Sequence, residues 1–158
     1  MTEPEYQGDP RHPQHSDYLR QLGVAVFAAA GVTGIVVDIL RIHHNGSYFA
    51  LVDQTLGSLV NILRQHANLG SPVPDLRGYA AEVDRVRVIR NDLIHALPVL
   101  HGLHRRTAKD LGRVVNFYSV AALQAITADF DAVRGRGNRL LYYDGGEALR
   151  AWYQRGGS

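Results

Sequence analysis

The stretch from Asp75 to His95, DLRGYAAEVDRVRVIRNDLIH, decides the fold. Leu76, Tyr79, Ala80, Val83, Val86, Ile89, Leu93 and Ile94 recur at three- and four-residue intervals, the period of one buried helix face. Asp75 ahead of them is an N-cap residue. Pro98 closes the other end, because it lacks a backbone donor and biases Leu97 away from helical dihedrals. A helix from Asp75 to His95, or just past it, is therefore predicted.

Working upstream, Ser71-Pro72-Val73-Pro74 is a stiff connector. Leu51, Leu56, Leu59, Val60 and Leu63 mark another amphipathic helix that ends around Asn68-Leu69-Gly70. Before it, Ser16-Asp17 starts a long helix that Asn45-Gly46-Ser47 stops near His44. Its middle, Leu22 to Val37, is uncharged for 16 residues, short of the roughly 20 that a bilayer requires. A core helix is expected there, and no membrane association. Ala30 and Gly34, four apart, make a smooth strip against which another helix can pack closely.

Downstream, Val99 to Arg113 has the character of an irregular basic loop, with a short extended piece at Val114 to Tyr118. Val120, Leu123, Ile126, Thr127, Phe130 and Val133 then set a helix from Ser119 to about Arg134, which Gly135-Arg136-Gly137-Asn138 is expected to break. Asp144-Gly145-Gly146-Glu147 resembles a capping box before a last short helix, Ala148 to Tyr153. Four to five helices with one apolar face each predict an all-α antiparallel bundle. The domain spans residues 16–141, after a disordered lead-in at 1–15 and before a tail at 142–158. The absence of a glycine-rich strand-to-helix turn excludes Rossmann and P-loop sites.

The chain of 158 residues is 46% hydrophobic and long enough for one domain with its own core. It has no cysteine, which excludes disulfides, thiolate metal sites and a cysteine nucleophile and agrees with a reducing, cytoplasmic location. The net charge is only +2, but positive residues bracket one region. Arg85, Arg87 and Arg90 precede His95, and Arg105, Arg106, Lys109 and Arg113 follow it. They are either a solvated face or a phosphate-binding surface.

The chemistry concentrates at the end of the central helix. At about 100° per residue, Asn91 and His95 lie some 40° apart, while Arg90 is about 140° from His95. Arg90 and His95 therefore converge on one ligand only if the helix end distorts or a second copy of the helix supplies half the site. Histidine moves protons near neutral pH, arginine holds phosphate bidentately and asparagine orients either. These types suit cleavage of a phosphodiester whose own 2′-hydroxyl is the nucleophile, which favours RNA over DNA. The alternative is structural: a histidine at a helix C-terminus complements the dipole, and Arg90 lies within reach of Asp92 or Glu82. His95, His101 and His104 lack a carboxylate at ligand spacing, so neither a metal nor a cofactor is expected. Asp129 and Asp131 face different ways and are expected to be solvated. Tyr142, Tyr143 and Trp152 are expected to pack against the bundle.

Arg90-Asn91-Asp92-Leu93-Ile94-His95 resembles the signature of the HEPN superfamily, an arginine, four residues and a histidine, with a polar residue after the arginine. The order of helices, irregular segment and further helix around it is similar too, and so is Thr55-Leu56-Gly57-Ser58-Leu59. This resemblance covers roughly residues 16–141. It implies a homodimer whose motif helices face one another across a composite cleft, and a metal-independent endoribonuclease of toxin, defence or RNA-processing type. Arg90 would bind phosphate, His95 would act as general acid or base and Asn91 would orient them. Arg105, Arg106, Lys109 and Arg113 would track the RNA. It also implies an antitoxin or nucleotidyltransferase partner, although Leu97 occupies the place where many toxins of the latter group carry the tyrosine that is modified. Other superfamily members are catalytically silent modules that bind a nucleotide, RNA or a protein.

Overall fold

The structure, a computed structural model, describes residues 16–99, 102–105 and 116–154. The expected lead-in at 1–15 and the residues 106–115 lie outside the described residues. The fold is all-α in class. Helix α1 (Ser16–His44) is followed by a short α2 (Tyr48–Val52), α3 (Leu56–Asn68) and α4 (Leu76–Ile94). Three short strands, β1 (Leu97–Val99), β2 (Gly102–Arg105) and β3 (Asn116–Tyr118), lead to α5 (Val120–Arg139), a π-helical turn at Leu140–Asp144 and α6 (Gly145–Gln154).

The helix boundaries have local causes. Thr55 Oγ1 accepts from Ser58 N at 3.2 Å, Asp75 Oδ1 from Gly78 N at 3.2 Å and Ser119 Oγ from Ala122 N at 3.1 Å, so each cap satisfies one orphan donor of the first turn. At the end of α3, Gly70 takes a φ of 82° and lets Ser71 N–H reach back to His66 C=O at 3.0 Å, closing a Schellman motif. Asn45, at φ 52°, ends α1.

Two corrections concern α5. Gly135 to Asn138 do not break it; the helix runs to Arg139 and continues through the π turn. Gly137 is buried there because it lies against Ile35 and the Tyr79 hydroxyl, where any side chain would collide. Packing from α1 and α4 thus overrides the local breaker signal. The expected last short helix is present as α6, but Asp144 lies within the π turn that leads into it and does not act as its cap. Tyr142 and Tyr143 are exposed at 65% and 70%, against the expected packing, while Leu140 and Leu141 take the inward positions.

The helix directions also depart from simple alternation. Contacts advance together along α1 and α5: Gln21 Nε2 donates to Thr127 Oγ1 at 3.3 Å, Gly31 lies under Arg134 and Ile35 under Gly137. These two helices therefore run parallel. Antiparallel pairing holds for α3 and α4 (Arg64 to Asp84 at 2.8 Å, Arg77 to Asn68 at 2.6 Å) and for α4 and α5 (Arg85 to Asp129 at 3.1 Å, Arg136 to Glu82). The short α2, unseen in the sequence pattern, lies between α1 and α3 and lets the chain enter α3 in the same sense as α1.

Val32, Val36, Ile39 and Leu40 of α1 meet Leu59, Leu63, Tyr79, Val83, Val86 and Phe130 in the main core. Full burial of each such aliphatic or aromatic side chain contributes about 1.5–3 kcal/mol. A smaller cluster of Tyr18, Ala25, Leu93, Tyr118 and Leu123 fixes the far end of α4, where Tyr18 OH also donates to Tyr118 C=O at 2.8 Å. The strands form an antiparallel meander in the order β1-β2-β3, with Leu97 opposite His104 and Arg105 opposite Asn116. β3 falls within the extended piece expected at Val114 to Tyr118, whereas β1 and β2, three and four residues long, are too short for a period-two pattern to be legible in sequence.

By length and composition α1 is apolar enough to cross a membrane over Asp17–His44. In the fold it is the central helix, packed against α3, α4 and α5. One stripe is left uncovered: Leu19, Gly23, Val26, Phe27, Ala30 and Gly34 are all exposed, Phe27 at 74%. The smooth strip at Ala30 and Gly34 therefore meets no helix of its own chain, and nothing lies within 4 Å of a Cβ added at Gly34.

Candidate functional site

The last turns of α4 carry the motif. Leu93 is buried in the smaller core cluster, which fixes the rotation of the helix and the faces its neighbours present. Arg90 is half-buried and lines the surface toward α1, with Nη1 donating to Asn91 Oδ1 at 3.1 Å. His95 is exposed at the C-cap of α4, its backbone N–H bonded to Asn91 C=O at 3.0 Å. Asn91 thus joins the two: its side chain holds the guanidinium and its carbonyl holds the turn that presents the histidine.

The charges along α4 are largely committed. Arg85 pairs with Asp129, Arg87 with Asp84 at 2.7 Å, and Glu82 is taken by Arg136. Asp129 and Asp131 stay about half exposed, in line with the solvated face expected of them, and make surface pairs with Arg85 and Arg134. Among the described residues no carboxylate pairs with Arg90. A half-buried guanidinium without a counter-charge presents a forked donor to any anion that reaches it.

Two hollows flank Arg90. The smaller, about 90 Å³, lies between it and Val26, Ala29, Leu93 and Ile94. The larger, about 430 Å³, runs along α1 from Ala30 past Thr33, Gly34 and Val37 to Asp38, with Tyr48 and Val52 of α2 as its wall. Sequence reasoning missed Thr33, Asp38 and Tyr48. No spacing rule ties them to Arg90, because α2 was invisible in the pattern and α1 lies some fifty residues upstream.

The basic residues after the motif are placed in part. Arg105 closes β2, and the pairing of Leu97 with His104 sets its backbone beside the segment that leaves His95. Arg106, Lys109 and Arg113 lie outside the described residues. No family model, curated protein or solved structure matches this chain.

A second polar cluster sits at the opposite end of α1. The His44 and His66 rings stack with centroids 4.0 Å apart, and His44 Nε2 meets Ser71 Oγ at 3.2 Å. Burial, then the neighbouring His66 and His43, lower His44 to about 4. Burial also lowers His66, and it lowers buried His43, whose Nε2 lies 3.1 Å from the Leu141 carbonyl. These rings favour the neutral form; His44 and His66 support the packing of α1 on α3, and His43 ties α1 to the π turn.

Proposed function

We propose that the chain is a HEPN-type endoribonuclease, a cytoplasmic homodimer that cleaves RNA without a metal in toxin, defence or RNA-processing roles and is controlled by an antitoxin or nucleotidyltransferase partner. The observation that carries this reading is the state of Arg90: half-buried beside two hollows, oriented by Asn91 and free of any carboxylate among the described residues. An arginine kept only for stability would be expected to share a salt bridge, as Arg85, Arg87 and Arg136 do.

The chemistry follows from the residue types. Arg90 holds the scissile phosphate and stabilises the charge that develops on its oxygens. His95 takes the proton from the 2′-hydroxyl, whose oxygen attacks phosphorus while the bond to the 5′ oxygen breaks. The departing oxygen receives a proton from the protonated imidazole, leaving a 2′,3′-cyclic phosphate and a 5′-hydroxyl. Asn91 fixes the guanidinium. A second copy, docked through the N-terminal half of the exposed α1 stripe around Phe27 and through Ile94, brings its own Arg90 and His95 to the same cleft, which answers the angle between them on one helix.

The test is cleavage of single-stranded RNA by the purified protein. Activity should survive EDTA, fail on a substrate methylated at the 2′-oxygen of the cut site, and fall about 10²–10⁴-fold in His95→Ala. Arg90→Ala should be as severe, and Asn91→Ala milder, because an orienting group is lost rather than a reacting one. Wild-type cleavage by a folded His95→Ala variant would overturn the reading in favour of a silent binding module.

A further inference from the structure

The larger hollow beside Arg90 takes no part in the chemistry assigned to the motif, yet its lining suits a definite class of ligand. At about 430 Å³ it is the size of a small-molecule site. Ala30 and Gly34 make its floor nearly flat, and no atom occupies the space over Gly34. Tyr48, half exposed, forms an aromatic wall. Asp38 stands at one end and Arg90 borders Ala30. Ala30 and Asp38 are eight residues apart on α1, so the floor of the hollow extends about 12 Å along the helix axis. A flat slot with an aromatic wall, a carboxylate at one end and, on its lining, a guanidinium that no carboxylate among the described residues pairs with matches a planar heterocycle bearing N–H donors and linked to a phosphate.

We propose that this hollow is a nucleobase subsite for the RNA strand whose phosphate Arg90 holds, and that it selects guanine. The proposal rests on the ribonuclease reading for the identity of the strand. Stacking on Tyr48 supplies affinity that any base can use. Selection comes from Asp38, because a carboxylate only accepts hydrogen bonds. Guanine offers N1–H and N2–H side by side, a match for the two oxygens. On the Watson–Crick edges of adenine and cytosine the single amino group sits next to an acceptor, and uracil N3–H lies between two carbonyls, so each sets a lone pair against the carboxylate. Asp38 Oδ1 also accepts from Arg41 Nη2 at 3.3 Å, a contact that holds the carboxylate in place.

The experiment measures the affinity of the full-length protein for short RNAs that are 2′-O-methylated throughout and differ in one base, alongside cleavage of their unmethylated counterparts. The guanine oligonucleotide should bind about tenfold tighter than the other three, the discrimination of one good bidentate contact. Asp38→Asn should erase that preference or turn it toward adenine, which asparagine reads through N6 and N7. Tyr48→Ala should weaken all four alike, and Gly34→Leu, which fills the open space over Gly34, should remove the discrimination. Cleavage with no base preference, unaltered by Asp38→Asn and Gly34→Leu, would overturn the subsite and leave the ribonuclease reading standing. A guanine preference without cleavage would keep the subsite and overturn the ribonuclease, and absence of both binding and cleavage would overturn the two together.

Discussion

Gly34 and Gly137 lie inside two long helices and should respond to alanine in opposite directions. Glycine in a helix interior costs about 0.5–1 kcal/mol relative to alanine. At Gly34 a methyl group meets nothing within 4 Å, so Gly34→Ala should raise stability by about that amount. At Gly137 the same methyl group collides with the Tyr79 hydroxyl and comes within 3.0 Å of Ile35 Cγ1 and Cγ2. Tyr79 is fully buried and has little room to yield. Overpacking of this kind costs about 1–3 kcal/mol, which outweighs the gain in helix propensity. Denaturant melts of the two variants check the pair; equal shifts would mean that neither local environment matters. The two glycines are also a measure of what sequence can tell. Gly34 was legible as one element of a smooth strip, because its partner Ala30 is four residues away. Gly137 looked like a helix breaker, because its reason for being there lies on α1 and α4.

The same division between local and distant causes holds for whole elements. The start and stop of α4 were legible, since Asp75 and the chain beyond His95 act within a few residues of the ends they set. The short α2, the hairpin of β1 and β2 and the run of α5 into α6 were not, since contacts from elsewhere in the chain sustain them; of the meander only β3 was foreshadowed, by the extended piece at Val114 to Tyr118. The candidate site divides alike: Arg90, Asn91 and His95 form a contiguous motif, whereas Asp38 and Tyr48 join them only through the folding of α1 and α2 against α4. The histidine cluster at the α1–α3 end was equally hidden, because His44 and His66 are brought together by packing alone. It carries a consequence for pH. His43, His44 and His66 all have folded-state values below the ordinary 6.5, His44 at about 4. The unfolded chain therefore takes up protons below about pH 6.5 that the folded chain refuses. Their stabilising contribution is complete above pH 6.5 and is lost as pH falls toward 4. For His44 the loss is on the order of 2 kcal/mol, allowing for its partial exposure. Thermal melts from pH 7.5 to 4 should show this decline, and His44→Gln should flatten it. A melting temperature constant down to pH 4.5 would show that these rings accept protons without disturbing the packing of α1 on α3.

For the whole molecule, the question is what covers α1. A stripe of exposed apolar and small residues from Leu19 to Gly34, adjoined by Ile94 at 50% exposure, is left uncovered by the described residues of the chain itself, the kind of surface that marks a contact site. A second copy is the occupant that the ribonuclease reading requires, because one α4 helix sets Arg90 and His95 on different sides. A two-fold contact centred on Phe27 would bury the N-terminal half of the stripe against its mate and bring the two α4 ends together. The hollow that runs from Ala30 to Asp38 would stay open to a strand. Light scattering at micromolar concentration should then give twice the 17.5 kDa chain mass. Phe27→Asp should yield a monomer, since a charge at the centre of an apolar contact is desolvated without a partner. Phe27 is 74% exposed in the single chain, so the variant should keep the wild-type helical circular dichroism. Cleavage should fall with dimerisation, and it should recover when Phe27→Asp chains are linked in tandem by a flexible spacer that restores a high effective concentration. A wild-type protein that stays monomeric at hundreds of micromolar, yet cleaves RNA through Arg90 and His95, would show that one chain completes the site alone and that the stripe serves another surface.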